Sequence, residues 1–250
     1  MKDKSIRLLL PGIVFSLVAF AVKIAFLGEM ARQTRFGLKE LLMAFVYPYD
    51  NPFREMWFLI TLFIFFLLTP IWQEALKKGW SKWGLLVILI ALHFIQPESK
   101  LFSIDRVCNQ AVWFYSGVLL SKGKYIEERI VKYPWLTMIM GVVIYVIGYY
   151  TNSFVTTIGG ITFSFGFALL ADKYWPMLLF TFRNYTYQIF LMGIFAQIII
   201  KILYRHYPMP YVLAYLVCII AGIYVPVLVS KIIEKININP LSLCVGLKTK

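Results

Sequence analysis

The sequence predicts an all-α fold, that of a polytopic helical membrane protein with about eight transmembrane helices, and three observations support this. Apolar residues make up 60% of the 250 positions, whereas charged residues make up 15%. An average soluble domain is roughly 45–50% apolar and about 25% charged. The mean hydropathy is +0.75, and the apolar residues form continuous runs, unlike the alternating pattern of barrel strands. A soluble domain, a disordered chain and a nucleic-acid-binding module are therefore excluded.

Each predicted span is justified by its length. A helix needs about 20 apolar residues to cross roughly 30 Å of hydrocarbon, and eight runs approach that length. The third and fourth runs are short and contain polar side chains such as His93 and Asn109. The predicted spans cover residues 8–27, 56–72, 80–95, 107–120, 135–150, 153–171, 186–204 and 210–230. No linker or internal repeat separates them, so residues 1–250 are interpreted as one transmembrane domain.

The first run could alternatively be a signal peptide, because Lys2, Lys4 and Arg7 precede it. The run is long, and the sequence FLGE at its end does not form the small-residue cleavage site that a signal peptide requires. We therefore interpret it as a retained first helix.

The distribution of Lys and Arg predicts the orientation in the membrane. With eight spans, 16 of the 25 basic residues lie on the side of the N-terminus, 8 lie on the opposite side, and Lys23 lies within a span. Cytoplasmic loops carry an excess of Lys and Arg, so both termini are predicted to be cytoplasmic, and six spans would give the same orientation. Basic loops beside anionic lipid explain much of the net charge of +13. Lipid is therefore the expected partner, and nucleic acid is not.

The longest predicted external loop, residues 28–55, contains a short apolar stretch at 38–46. This stretch could be a lateral or re-entrant helix that lines a cavity, or the whole loop could be solvated, and the sequence leaves both readings open. Trp57 could belong to an aromatic belt, and Arg54 with Glu55 could form a surface ion pair. The functional interpretation is a polar rim around an acceptor site, formed by Arg32, Arg35, Arg54, Glu55 and Trp57.

His93 is the candidate catalytic residue, because it lies late in the third predicted span, near the predicted external face. An ionisable group at membrane depth is a functional-site hypothesis, although a neutral imidazole can also be buried for structural reasons. The second histidine, His206, is expected in a solvated turn. The sequence has no His, Cys, Asp and Glu cluster with the spacing of metal ligands, so neither a metal nor a bound cofactor is expected.

Lys4 and Arg7 precede the first span and are three residues apart, so a helix places them on one face. Two cations on one face could bind phosphates. The alternative is that they only anchor the helix at the cytoplasmic surface.

Four stretches resemble, in order, the motifs of the acyltransferase-3 family of membrane acyltransferases, which modify sugars and other cell-envelope components. They are KSIRLLLP at residues 4–11, MWFLITLF at 56–63, AVWFYSGV at 111–118 and RNYTYQIFL at 183–191. The resemblance covers roughly residues 4–230.

This resemblance implies a membrane acyltransferase that moves an acyl group, with acetyl expected, from acyl-CoA to a hydroxyl of an extracytoplasmic glycan or other envelope component. Acyl-CoA is then a co-substrate that binds at the cytoplasmic face, where Lys4 and Arg7 pair with its phosphates. The base that takes the hydroxyl proton must lie within about 3 Å of it, or one water away, and His93 is the candidate.

The sequence also departs from the family. The family's first span, with its Arg and downstream His, has no counterpart here, and Gly193 stands where many relatives have a His. The chain is therefore expected to be either a truncated reading frame or a divergent member, and association with another chain is an option. Two alternative functions stay open: a transporter or flippase-like protein without covalent chemistry, and an inactive fragment of the acyltransferase.

Overall fold

The computed structural model describes residues 2–25, 38–53, 55–77, 79–122, 132–207 and 209–247. Every regular element in these ranges is helical, and none of the described residues forms a strand. The predicted all-α fold class is therefore confirmed. Three residues of the predicted rim, Arg32, Arg35 and Arg54, lie outside the described residues.

The helices group into two compact units. Unit 1 comprises Met1–Tyr115 and Tyr185–Lys250, and unit 2 comprises Ser116–Asn184. The α-helices of the described chain are α1 (Lys2–Ala25), α2 (Leu38–Val46), α3 (Met56–Leu67), α4 (Thr69–Lys77), α5 (Gly79–Ile95), α6 (Ile104–Lys122), α7 (Pro134–Thr151), α8 (Ser153–Tyr174), α9 (Pro176–Arg183), α10 (Thr186–His206), α11 (Tyr211–Ile236) and α12 (Asn239–Cys244). Two 3-10 turns, η1 (Pro48–Asp50) and η2 (Leu101–Ser103), precede α3 and α6.

Fewer helices than the predicted eight have the length and hydropathy of a membrane span. Among the described residues these are α7, α8, α10 and α11, and a fifth is counted if α3 and α4 form one bent span. The chain is thus a polytopic helical membrane protein, and its described residues contain four or five such helices, fewer than the predicted eight.

The other predicted spans fall short for identifiable reasons. In α1 the described apolar stretch covers Leu8–Val22, and the predicted span 8–27 continues beyond Ala25 into residues that the structure does not describe; α5 has 17 residues. Helix α6 has charged residues in its first and last turns, Asp105 and Lys122, with Asn109 and Gln110 between them. Each of these helices is shorter or more polar than the roughly 20 apolar residues that a span needs.

The predicted second span is broken. Helices α3 and α4 meet at an angle of 47° around Leu68. Pro70 has no N–H and its ring displaces the carbonyl four residues earlier, so the helix cannot continue straight through it. The indole of Trp72 donates from Nε1 to the carbonyl of Phe65 at 3.0 Å, which supplies a partner for a backbone group at the break.

The core of unit 1 joins α1, α3 and α10 to the residues that follow α12. Its buried side chains are Leu8, Phe15, Ala19, Phe53, Met56, Leu59, Ile60, Leu191, Ile233, Val245 and Leu247. Gly246 has φ +72°, and a Cβ there would lie 2.4 Å from the Tyr187 ring, so only glycine fits. Gln188 Nε2 donates to the Val245 carbonyl at 3.2 Å. The C-terminal segment is therefore built into the core.

Unit 2 contains a closely packed hairpin of α7 and α8. A Cβ on Gly141, Gly148, Gly159 or Gly166 would lie 2.2–2.6 Å from a backbone nitrogen of the other helix. Small residues allow this approach, which is the usual way apolar helices pack in lipid.

Candidate functional site

The predicted external segments of unit 1 meet at the start of α3. Helix α2, η1 and η2 all contact one another or the beginning of α3. Asn51 fixes the turn into α3, because its Oδ1 accepts from the Phe53 N–H at 2.8 Å and its Nδ2 donates to the Ala44 carbonyl at 3.3 Å. The predicted 38–46 stretch is therefore an ordered helix packed beside the site, as the lateral-helix interpretation requires.

A polar cluster lies at this junction and consists of Tyr49, Trp57, Asp105 and Arg106, which we call the Tyr49 cluster. The Tyr49 hydroxyl donates to Asp105 Oδ2 at 2.5 Å and accepts from Arg106 Nε at 2.7 Å. The Arg106 guanidinium carbon lies 5.2 Å from the ring centroid of Trp57 and 5.7 Å from that of Tyr49. These are cation–π distances, so three contacts hold the guanidinium in place.

The environment of Tyr49 keeps its hydroxyl protonated. Burial raises the pKa of Tyr49, and its hydrogen bond to Asp105 raises the pKa further, while Arg106 partly opposes both effects. An ordinary tyrosine titrates near pH 10, so at neutral pH Tyr49 is a donor to Asp105 and not a base.

Two buried polar atoms beside the cluster lack a hydrogen-bond partner among the described residues: Ser103 Oγ and Asp105 Oδ1. Ser103 is fully buried and has φ 55°, and Phe102 before it has φ 46°. Burying such an atom without a partner costs about 1–3 kcal/mol. Orphaned polar atoms are rare in folded proteins, and their causes include an ordered water or ion, a catalytic role and stored strain.

His93, in α5, contacts α6 about one helical turn after Asp105. It is 8% exposed, and its Nδ1 lies 2.8 Å from the Asn109 carbonyl. A carbonyl only accepts, so Nδ1 carries the proton and Nε2 is the basic nitrogen of the neutral ring. Asn109 follows Asp105 by four residues, which is about 6 Å along a helix. The ring also packs edge-on against Trp113, with 5.7 Å between centroids.

The N-terminal end of α1 lies beside the start of α10. Lys4 and Arg7 belong to α1, but their side chains lie outside the described residues. The next residue, Leu8, accepts a hydrogen bond from the Tyr187 hydroxyl at 2.9 Å. Tyr185 donates to Glu234 Oε2 at 2.7 Å, and burial together with this hydrogen bond raises the pKa of Tyr185 to about 12.

The described residues include no group of three or more His, Cys, Asp or Glu side chains that could hold a metal ion. Cys108, Cys218 and Cys244 are half-buried free thiols.

The comparisons with known proteins agree with the resemblance. The acyltransferase-3 family, described as an acyltransferase domain, matches residues 1–231. The chain belongs to the acyltransferase-3 family. No curated protein and no solved structure gives a match. The family and the apolar helices together make this protein a membrane acyltransferase.

The structure brings some of the predicted site residues together and leaves others apart. Trp57 belongs to the Tyr49 cluster, and Glu55 is the residue before α3. Asp105 and Arg106, which are adjacent in the sequence, both bond to Tyr49, more than 50 positions away. The sequence did not predict this cluster, because no pattern around Tyr49 indicates that it contacts α6.

The position of Gly193, where the resemblance leads us to compare a histidine, is closed to any side chain. A Cβ on Gly193 would lie 2.8 Å from the carbonyl oxygen of Gly222 in α11. The close approach of α10 and α11 therefore requires glycine, and no imidazole fits at this position.

Proposed function

We propose that this membrane acyltransferase moves an acyl group, with acetyl expected, from acyl-CoA at the cytoplasmic face to a hydroxyl of an extracytoplasmic glycan or other envelope component. Lys4 and Arg7 bind the donor's phosphates, and His93 takes the acceptor's proton. The proposal extends family membership, which gives only acyl transfer in a membrane.

The observation that carries the proposal is the packing of α1 on the start of α3. The ring of Phe15 contacts the ring of Phe53, with 6.2 Å between centroids. Arg7 precedes Phe15 by eight residues, which is about 12 Å along a helix. Arg7 therefore lies about 12 Å along α1 from the point where α1 meets the residues just before α3. An extended phosphopantetheine arm can cover such a distance, so one donor molecule reaches from the basic residues to the acceptor.

The proposed reaction balances without a cofactor. The acceptor oxygen attacks the thioester carbonyl carbon, so a C–O bond forms and the C–S bond breaks. The hydroxyl proton passes to Nε2 of His93 and then to the departing thiolate, which leaves as the CoA thiol. The bond from Nδ1 to the Asn109 carbonyl holds the ring in the tautomer that this step needs.

The test is transfer of radiolabelled acetyl from acetyl-CoA to endogenous acceptors in membranes that contain the chain. We expect transfer by the wild type and a loss of about 100-fold or more in His93→Gln, which removes the base. The matched control is His206→Gln, because His206 is exposed. No transfer by the wild type would contradict the proposed function, and equal rates for the two variants would contradict the role of His93.

A separate variant tests whether Arg7 binds acyl-CoA. Arg7→Ala is expected to raise the KM for acetyl-CoA, because a charge-assisted bond to phosphate is lost. An unchanged KM would remove Arg7 from the donor site.

We also propose that both termini are cytoplasmic and that the protein lies in the cell membrane. An even number of spans leaves both ends on one side, whereas an odd number does not. Reporter fusions at the two ends distinguish these cases, and reporters on opposite faces would overturn the proposed orientation.

A further inference from the structure

Two basic residues and four tyrosines surround the turn between α10 and α11, and the proposed function uses none of them. Lys201 and Arg205 are exposed, and their spacing of four residues places them on one face of α10. All four tyrosines are exposed as well: Tyr204, Tyr207, Tyr211 and Tyr215. We call these six residues the hairpin-end cluster, and we propose that it binds the phosphodiester headgroup of an anionic phospholipid.

The packing of α10 on α11 puts the cluster at one depth. A Cβ on Gly193 would lie 2.8 Å from the Gly222 carbonyl oxygen, so the two helices meet at these residues. Lys201 follows Gly193 by eight residues, and Tyr215 precedes Gly222 by seven. Because a short turn joins the helices, they run in opposite directions, and equal counts of residues reach equal levels. Lys201 and Tyr215 therefore lie at nearly the same level.

That level is the boundary between hydrocarbon and headgroups. Both helices have the length and hydropathy of a membrane span, and Lys201 lies five residues before the end of α10 at His206. An ammonium inside the hydrocarbon is costly, so a lysine near a helix end extends its side chain toward the headgroups. Tyrosines prefer the same boundary, and the rings of Tyr211 and Tyr215 stack there with 6.5 Å between centroids.

The two helices contain no carboxylate near these cations. The sequence has no Asp or Glu between Asp172 and Glu234. Glu234 follows Tyr215 by 19 residues, which is about 28 Å along α11. This distance exceeds three Debye lengths of about 8 Å each at physiological salt. The positive charge of this hairpin end is therefore not neutralised within α10 and α11, and it suits a phosphate.

The neighbouring helix α1 brings a third basic residue to the same level. The Tyr187 hydroxyl bonds to the Leu8 carbonyl, and the rings of Phe15 and Phe195 lie 5.6 Å apart. These two contacts show that α1 and α10 run in the same direction with matching levels. Lys23 follows Phe15 by eight residues, so its backbone is level with residue 203 of α10.

The position of these cations opposes the usual charge bias of membrane proteins. If the C-terminus is cytoplasmic, as proposed above, α11 places the turn on the external side, where Lys and Arg are normally depleted. Membrane insertion therefore does not account for Lys201 and Arg205, whereas a bound headgroup does. The lipid then belongs to the outer leaflet. The inference uses the proposed orientation and does not depend on acyl transfer.

The test is photo-crosslinking of the full chain in phosphatidylcholine nanodiscs that contain a small fraction of a lipid probe. One probe is phosphatidylglycerol, which is anionic, and the matched probe is phosphatidylcholine, which is zwitterionic. Both carry a diazirine near the glycerol end of one acyl chain. Peptide mass spectrometry measures the labelling of residues 199–216. We expect the phosphatidylglycerol probe to label this segment about fivefold more strongly or better.

Lys201→Gln removes one cation and is expected to lower the labelling by phosphatidylglycerol about fivefold, which is the usual contribution of one basic residue beside anionic lipid. Lys201→Arg keeps the charge and is expected to keep the labelling. The matched control is Lys231→Gln, which removes the same charge at an exposed position near the other end of α11. It is expected to leave the labelling of residues 199–216 unchanged.

Equal labelling by the two probes would overturn the lipid site, as would equal losses in Lys201→Gln and Lys231→Gln. A loss in Lys201→Arg as large as that in Lys201→Gln would overturn the role of the charge. The labelling needs no acetyl-CoA, so its outcome is separate from that of the transfer assay. Reporter fusions that place the C-terminus outside the cell would overturn the assignment to the outer leaflet.

Discussion

Gly159 and Gly160 are adjacent in α8, yet an added methyl group meets different surroundings at the two positions. A Cβ on Gly159 would lie 2.3 Å from the backbone nitrogen of Tyr145 in α7, whereas a Cβ on Gly160 has no atom within 4 Å. Gly159→Ala and Gly160→Ala make the same glycine-to-alanine change. They therefore differ only in how closely the added methyl group meets its neighbours.

The expected difference in stability between the two variants follows from the distances of the added Cβ to its neighbours. Non-bonded heavy atoms pack best at about 3.5–4.0 Å, so α7 and α8 must separate by roughly 1 Å to admit the Gly159 methyl. Overpacking of this kind costs about 1–3 kcal/mol. Alanine also gains up to about 1 kcal/mol over glycine in a helix, but this gain is common to both variants. The difference between them isolates the packing cost, and Gly160→Ala is the more stable variant by about 1–3 kcal/mol.

The assay is thermal unfolding of the purified chain in detergent, followed by circular dichroism. A change of 1 kcal/mol shifts Tm by about 2–4 °C in a protein of 150–250 residues, so the predicted difference is measurable. Equal Tm values for the two variants would refute the reasoning, as would a lower Tm for Gly160→Ala.

Three further changes test unit 1. Gly246→Ala is expected to lower the stability by about 1–3 kcal/mol, because it combines a strained φ of +72° with a clash against the Tyr187 ring; chemical denaturation measures it. The wild type is expected to lose stability as pH rises from about 10 to 12, since Tyr185 ionises in the unfolded chain before its folded pKa of about 12; Tyr185→Phe makes that slope in Tm against pH less steep. Trp72→Phe should cost about 1 kcal/mol, whereas Trp80→Phe, at a 94% exposed position, should leave Tm unchanged.

The sequence predicted the helical class and several helix positions because these depend on local signals. The predicted spans at 153–171 and 186–204 begin at the same residues as α8 and α10. Asn152 marks the first start, since its Oδ1 accepts from the Phe154 N–H at 2.8 Å, as an N-cap residue does. The family resemblance was also confirmed, by the match over residues 1–231.

The span count could not be read from apolar runs alone. Pro70 lies inside the predicted second span and bends it by 47°, although hydropathy treats proline as a minor interruption. The polar start of α6 lowers its hydropathy because Asp105 and Arg106 serve the Tyr49 cluster. A running average of hydropathy registers the polar residues of α6 but not the bend at Pro70.

The Tyr49 cluster could not be predicted because it depends on tertiary packing between segments more than 50 positions apart. His93 was selected from the sequence as one of only two histidines, and its catalytic role stays a prediction. To predict the hydrogen bond between His93 and the Asn109 carbonyl, one must know how α6 packs against α5. No local sequence pattern specifies that packing.

The burial of Val245 and Leu247 beside Leu8 has a consequence for biogenesis. The ribosome delivers Leu8 early and Leu247 more than 230 positions later, so this part of the core stays open while the helices between them are synthesised and inserted. Contacts of such sequence separation form slowly. Unit 1 is therefore completed only after Leu247 has been synthesised, and one side of α1 lacks its packing partner until then.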